Sequence, residues 1–93
     1  MVVGTLTLEL FLPDNHSLKG KRQILNHLKD KVRNQFNVSV AEVGGNELWQ
    51  RCRLGVAVVS NERAFADSVL SKVVSLVSAD RRAVLLDYQV DIK

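Results

Sequence analysis

The sequence predicts an α+β sandwich of four antiparallel strands with two helices on one face, formed by a single domain over residues 1–93. Strand and helix periodicities follow one another along the chain in the order βαββαβ. Each helix pattern has one apolar stripe, so each helix needs only one covered face. Right-handed crossovers then place the first and third strands at the centre of the sheet. This is the ferredoxin-like arrangement.

The first half of the chain predicts a strand followed by a long helix. Val2 to Leu12 alternates, with leucines at every second position from Leu6 on one face. Pro13-Asp14-Asn15 supplies turn residues, and Ser17 or Asp14 can cap the helix. The helix extends to about Gln35 on apolar spacings of three, four and seven residues.

The second half predicts a strand, a hairpin turn, a long strand, a second helix and a final strand. The first of these strands covers 37–43 and ends at Gly44-Gly45-Asn46, and the long strand covers Leu48–Val59. Ser60 or Asn61 caps the second helix, whose stripe extends from Phe65 to Val77. Residues 78–82 form a loop, and alternation from Val84 to Ile92 predicts the last strand.

Composition indicates an ordinary globular protein with a mild positive bias. The formal net charge is +3, from 13 Lys and Arg against 10 Asp and Glu. Cys52 is the only cysteine, which fits a reducing compartment and excludes an internal disulfide. Met1 leads directly into a strand pattern and no apolar run could span a bilayer, so we expect a cytoplasmic protein without a signal peptide.

The first helix carries an unusual concentration of cations. Six of the 13 Lys and Arg residues lie between Leu18 and Gln35, where Asp30 is the only acid. Cations near a helix N-terminus oppose the helix dipole, which indicates a role other than folding. On a helical wheel several of them form a stripe about 20 Å long beside the apolar residues. We predict phosphate contacts from this helix, the alternative being a solvated charged face. The predicted contacts are Lys19, Lys21, Arg22, Lys29 and Arg33.

The uncovered face of the sheet carries a second candidate surface. Trp49, Arg51 and Arg53 alternate along the predicted third strand, and Leu85 and Val43 are expected to join them. Trp and Arg are enriched at the centres of subunit interfaces, so this face is predicted to be an interface. Stacking of single-stranded RNA and a plain solvated surface are the alternatives.

No arrangement of residues indicates catalysis, a metal or a cofactor. His16 and His27 lie eleven residues apart, and Cys52 lacks an adjacent base and is expected to be a small buried hydrophobe. Asp87 and Asp91 share a strand face but are separated by roughly 13 Å. Gly44-Gly45 lacks the lysine and helix of a phosphate-binding loop. We expect a non-enzymatic protein.

Four motifs together resemble the YlxP-like family of small bacterial proteins, a family of domains of unknown function (family 503). They are His16-Ser17-Leu18-Lys19-Gly20-Lys21-Arg22, Asn37-Val38-Ser39-Val40-Ala41-Glu42-Val43, Leu48-Trp49-Gln50-Arg51 and Leu54-Gly55-Val56-Ala57-Val58-Val59-Ser60-Asn61. Gly20 departs from the family, whose members commonly carry an acidic residue there. The resemblance implies a ferredoxin-like fold, and the family's genes often lie among those for translation initiation and ribosome maturation. It implies no catalytic residues.

Two functional hypotheses follow. The first is a non-enzymatic module that binds RNA or a ribosomal subunit through the basic helix. The second is a homodimeric interaction or small-molecule regulatory module, without nucleic-acid binding, that pairs through a sheet edge or the Trp49 face. The two are compatible, because a dimer would carry two basic helices.

Overall fold

The computed structural model describes residues 1–93 and confirms the predicted order of elements. The strands and helices are β1 (Val2–Phe11), α1 (Leu18–Gln35), β2 (Ser39–Gly44), β3 (Arg51–Ser60), α2 (Arg63–Ser78) and β4 (Val84–Ile92). The strands form one sheet in the order β2-β3-β1-β4, and each neighbouring pair is antiparallel. This is the ferredoxin-like α+β fold, with β1 and β3 at the centre as predicted.

The core lies between the helices and one face of the sheet. The alternating leucines of β1 are at most 1% exposed, which confirms the predicted core face of that strand. Both helices contribute their apolar stripes to the same cluster of 17 buried residues. Truncating a leucine of this cluster to alanine is expected to cost about 2–5 kcal/mol. The members from the helices are Leu25, Leu28, Val32, Ala66, Leu70, Val73 and Val77.

The structure differs from the sequence predictions at several element ends. β3 begins at Arg51 rather than at Leu48, so Trp49 lies in the connection before the strand. β2 begins at Ser39, two residues later than predicted. Glu62 occupies the N-cap of α2 without a side-chain hydrogen bond, while the hydroxyl of Ser60 accepts from the Glu62 main-chain N–H.

A bulge in β4 changes which face its first residues occupy. Glu9 is opposite Asp87 but Leu10 is opposite Leu85, so Leu86 is an extra residue on β4. Because directly opposed residues share a face, Leu85 turns toward the helices and packs on the core. The prediction that Leu85 joins the uncovered face is therefore wrong. None of the helices is long and apolar enough to cross a membrane.

Candidate nucleic-acid interface

A buried lysine joins the start of α1 to the connection between β2 and β3, residues 45–50, which we call the β2–β3 loop. The Lys21 ammonium donates to the main-chain oxygens of Gly45 at 2.6 Å and Leu48 at 2.8 Å. It also lies 2.7 Å from the Glu42 carboxylate. The ammonium is therefore hydrogen-bonded by two neutral acceptors and charge-paired with one carboxylate. The loop is held against the first turns of the helix.

The position of Lys21 on the helix explains why it is buried. At 100° per residue it falls on the same side as Leu25 and Leu28, and it is only 2% exposed. The prediction that Lys21 contacts phosphate is therefore corrected, because its ammonium faces the protein interior. Burial of a charge requires a paired and hydrogen-bonded environment, which Glu42 and the loop carbonyls supply.

Asn15 makes a second link between the same segments. Its side-chain amide donates to the main-chain oxygens of Ser17 and Trp49. A Cβ atom at position 20 would lie 2.3 Å from the Asn15 Oδ1, so Gly20 leaves the space that Asn15 occupies. Ser17 caps α1 by accepting from the Gly20 N–H, as predicted. The glycine that weakens the helix thus permits the contact to the loop.

These links place an aromatic side chain beside the start of α1. Trp49 is 55% exposed, and it lines an open cleft of about 670 Å³ together with His16, Arg51 and the acidic Glu47. The sequence analysis assigned Trp49 to a strand and therefore placed it on a different surface from the helix cations. The polar side chains of Asn15 and Lys21, which bind the loop, are the residues in the sequence that could have indicated this contact between loop and helix.

The other predicted cations of α1 are accessible to different degrees. Lys19 and Arg22 are exposed, Lys29 is half-buried, and none of the three forms an ion pair. The first turn contains no acidic residue. Arg33 is 47% exposed, donates to the Val40 main-chain oxygen and lies 3.9 Å from Asp30. The charge is therefore unpaired on Lys19, Arg22 and Lys29, whereas Arg33 is hydrogen-bonded to the edge strand β2.

The uncovered face of the sheet holds the other two predicted interface residues. Arg51 is exposed without an acidic partner, while Arg53 donates to the carboxylate of Glu9 on β1. Glu9, Arg53 and Val43 line a separate cleft of about 470 Å³ on this face. Trp49 lies in the loop before β3, so Trp49, Arg51 and Arg53 do not alternate along one strand as predicted.

Cys52 lies on the helix-facing side of β3 and is 2% exposed. Burial, followed by the nearby Glu42 carboxylate, raises the pKa of the Cys52 thiol to about 12. The thiol is therefore protonated near neutral pH and is a poor nucleophile. No group of three or more His, Cys, Asp or Glu side chains could hold a metal ion.

The fold and this surface define a small ferredoxin-like domain with an open basic and aromatic end. Residues 3–90 match the family described as "Protein of unknown function (DUF503)". The chain is 35% identical over 78 residues to "Uncharacterized protein YlxP" of Bacillus subtilis (strain 168), covering 84% of this chain and 85% of that protein. The chain belongs to the DUF503 family, as its motifs predicted.

A solved structure shares a more distant similarity. It is LarC2, the C-terminal domain of a cyclometallase involved in the synthesis of the NPN cofactor of lactate racemase, in its apo form. The TM-score is 0.43 and the sequence identity is 9%, with 100% of this chain aligned. The chain spans 56% of the length of that structure.

Proposed function

We propose that this protein is a non-enzymatic RNA-binding module that acts on the ribosome or its RNA through the end of the domain where α1 meets the β2–β3 loop. The observation that carries the proposal is that the loop bearing exposed Trp49 is held against the start of α1, where Lys19 and Arg22 are exposed and form no ion pair. We name this composite the α1–loop surface, and it comprises His16, Lys19, Arg22, Lys29, Trp49 and Arg51.

Charge and aromatic chemistry together support RNA as the ligand. Lys19 and Arg22 lie in the first turns of α1 and form no ion pair, and the first turn contains no acidic residue, so phosphates would release counterions on binding there. An exposed tryptophan offers a face on which an unpaired base stacks, worth about 1–3 kcal/mol per base. A surface that combines both favours single-stranded RNA over a duplex, whose bases are not accessible for stacking.

The mechanism is electrostatic positioning with stacking and little reading of base identity. Phosphate contacts fix the register of the strand without conveying sequence. The Lys21 and Asn15 links hold Trp49 in place before RNA arrives, which reduces the ordering cost of binding. The family to which the chain belongs has genes that often lie among those for ribosome maturation, which supports a ribosomal target. A cytoplasmic location follows from this proposal and agrees with a single reduced cysteine.

The experiment is binding of a single-stranded RNA oligonucleotide and of purified ribosomal subunits between about 50 and 300 mM salt. The test variant is Lys19→Glu/Arg22→Glu. If both residues contact phosphate, the slope of log affinity against log salt falls by about 1.4 for single-stranded RNA.

The matched control is Lys72→Glu/Arg81→Glu, which changes the net charge equally at two exposed positions of α2 and the loop after it. The control variant is expected to keep most of the wild-type slope. Equal loss of binding in the two variants would show that only net charge matters and would contradict a site on α1. Absence of binding by the wild-type protein to both targets would contradict RNA binding altogether.

A further inference from the structure

The two edges of the sheet differ in how they are protected. At one edge, β2 has six residues and Arg33 of α1 donates to its Val40 carbonyl. At the other edge, β4 has nine residues and contains no Lys or Arg, and its one contact of this kind is at its last residue, where Arg63 donates to the Ile92 carbonyl. Four of its hydrophobic residues are between 38% and 49% exposed. They are Val84, Leu86, Tyr88 and Val90. A long edge with exposed apolar residues and no cation is a template for another strand.

The hydrogen-bond pattern identifies the groups that β4 leaves free. Val3 and Lys93 exchange both main-chain hydrogen bonds, and such pairs alternate along an antiparallel ladder. Tyr88, Val90 and Ile92 therefore point their main-chain N–H and C=O groups away from β1. Two of these groups take side-chain partners instead: the Tyr88 N–H donates to Asp87, and the Ile92 oxygen accepts from Arg63.

An unbalanced charge lies along the same strand. Asp87 is directly opposite Glu9 of β1, and Glu9 is already paired with Arg53. Asp87 has no cation of its own. Lys93, which continues β4 through its ladder bonds with Val3, is 82% exposed and only 3.5 Å from Asp91. The stretch 87–93 thus begins with an acid that has no cation partner and ends with an exposed lysine in a long ion pair.

We propose that a second copy of this chain adds to β4 in antiparallel fashion, with the two-fold axis passing through Val90. This register opposes Asp87 to Lys93 of the partner subunit twice, once on each side of the axis. It also opposes Tyr88 to Ile92 of the partner subunit, where the Tyr88 N–H and the Ile92 oxygen would exchange their side-chain partners, Asp87 and Arg63, for each other. At the axis the outward-facing main-chain groups of the two Val90 residues meet. Opposite-charge and aromatic–aliphatic pairs of this kind stabilise antiparallel strands.

Charge and the bulge exclude the neighbouring registers. A two-fold through Asp87 or Asp91 places that acid opposite its own copy, and a two-fold through Gln89 opposes Asp87 to Asp91 of the partner subunit twice. A two-fold through Tyr88 requires Leu86, the extra residue of the bulge, to pair regularly. A two-fold through Ile92 opposes Asp91 to Lys93 of the partner subunit but pairs only residues 91–93. Only the axis at Val90 therefore uses the whole regular stretch 87–93.

The resulting dimer has one continuous eight-stranded sheet with β2 and the basic α1 near both ends. The interface is isologous, as expected for a symmetric dimer. It does not depend on RNA binding, because β4 shares no residue with the α1–loop surface.

A charge-swap experiment tests the dimer and its register by sedimentation velocity. Asp87→Lys and Lys93→Asp are each expected to weaken the wild-type dimer about ten-fold, because each places like charges opposite one another twice. The double variant Asp87→Lys/Lys93→Asp restores opposite charges and should recover the affinity. Failure of the double variant to recover it, with a circular dichroism spectrum equal to that of the wild type, would overturn the register.

Two further variants separate interface loss from misfolding. Val90→Lys places two like charges at the axis and should give a folded monomer, whereas Val59→Lys, at an apolar position 63% exposed on β3, should leave the dimer intact.

A mixture of Gln89→Cys and Asp91→Cys proteins should form a mixed disulfide that neither protein forms with itself. A wild-type protein that is monomeric at every concentration would overturn the proposal.

Discussion

Replacing Lys21 by methionine tests the buried link between α1 and the β2–β3 loop. Methionine keeps the unbranched stem that packs inside the protein but removes the ammonium. The change removes the cation paired with the Glu42 carboxylate and the hydrogen-bond donor of two main-chain oxygens. Breaking a buried ion pair costs about 3–5 kcal/mol. Because Glu42 is 20% exposed and can turn toward water, we expect a loss of about 3 kcal/mol in the free energy of unfolding.

The assay is urea unfolding followed by far-ultraviolet circular dichroism, with Trp49 fluorescence as a second probe of the loop. Lys19→Met makes the same chemical change at an exposed position and should cost less than about 0.5 kcal/mol. In a Glu42→Gln background the effect of Lys21→Met should shrink by about 1 kcal/mol, since no unpaired carboxylate remains. A loss below about 1 kcal/mol for Lys21→Met alone would show that the buried Lys21 link contributes little to stability.

Three other predictions concern the core and the loops. Hydrogen bonds from Arg82 lower the pKa of Asp80 from 3.8 to about 2, so its contribution to stability is present above about pH 4 and is lost as the pH falls toward 2. Asp80→Asn should therefore lower the free energy of unfolding by about 1–2 kcal/mol at pH 7 and by clearly less at pH 3; the half-exposed Arg82 limits the effect. Asp14→Asn is the control. An equal cost of Asp80→Asn at both pH values would contradict this contribution of the Asp80 carboxylate. The Cys52 thiol, with its pKa near 12, should react with a disulfide reagent at pH 8 only after denaturant is added, and rapid native-state labelling would count against its burial. Gly20→Ala should destabilise by about 1 kcal/mol in thermal unfolding because it displaces Asn15, whereas helix propensity alone predicts a gain of up to about 1 kcal/mol.

The fold was predictable because hydrophobic periodicity determines both the elements and their buried faces. The alternating leucines of β1 and the stripes of α1 and α2 identified the core directly. Element ends were less predictable, as at Trp49, where alternation continues past the point at which pairing stops. The bulge at Leu86 adds one residue without any local signal, and it reversed the predicted face of Leu85.

The candidate site was predictable only in part. Charge counting identified Lys19, Arg22 and Lys29, which the structure leaves unpaired. It could not separate Lys21 from them, because burial of a lysine depends on acceptors that lie 21 to 27 residues away in the chain. Trp49 lies near α1 because of the same long-range contacts. A position on the apolar side of the wheel was the one local sign that Lys21 differs.

In the proposed function, Trp49 and the exposed cations of α1 form one RNA-binding surface. Trp49 is the only tryptophan, so its fluorescence reports on that surface directly. The most direct measurement is titration of the protein with a single-stranded RNA oligonucleotide at low salt while Trp49 emission is recorded. We predict saturable quenching in the wild type and in Lys72→Glu/Arg81→Glu, and its loss in Lys19→Glu/Arg22→Glu. Unchanged emission in the wild type, or equal quenching in all three proteins, would contradict RNA binding by Trp49 and the α1 cations together.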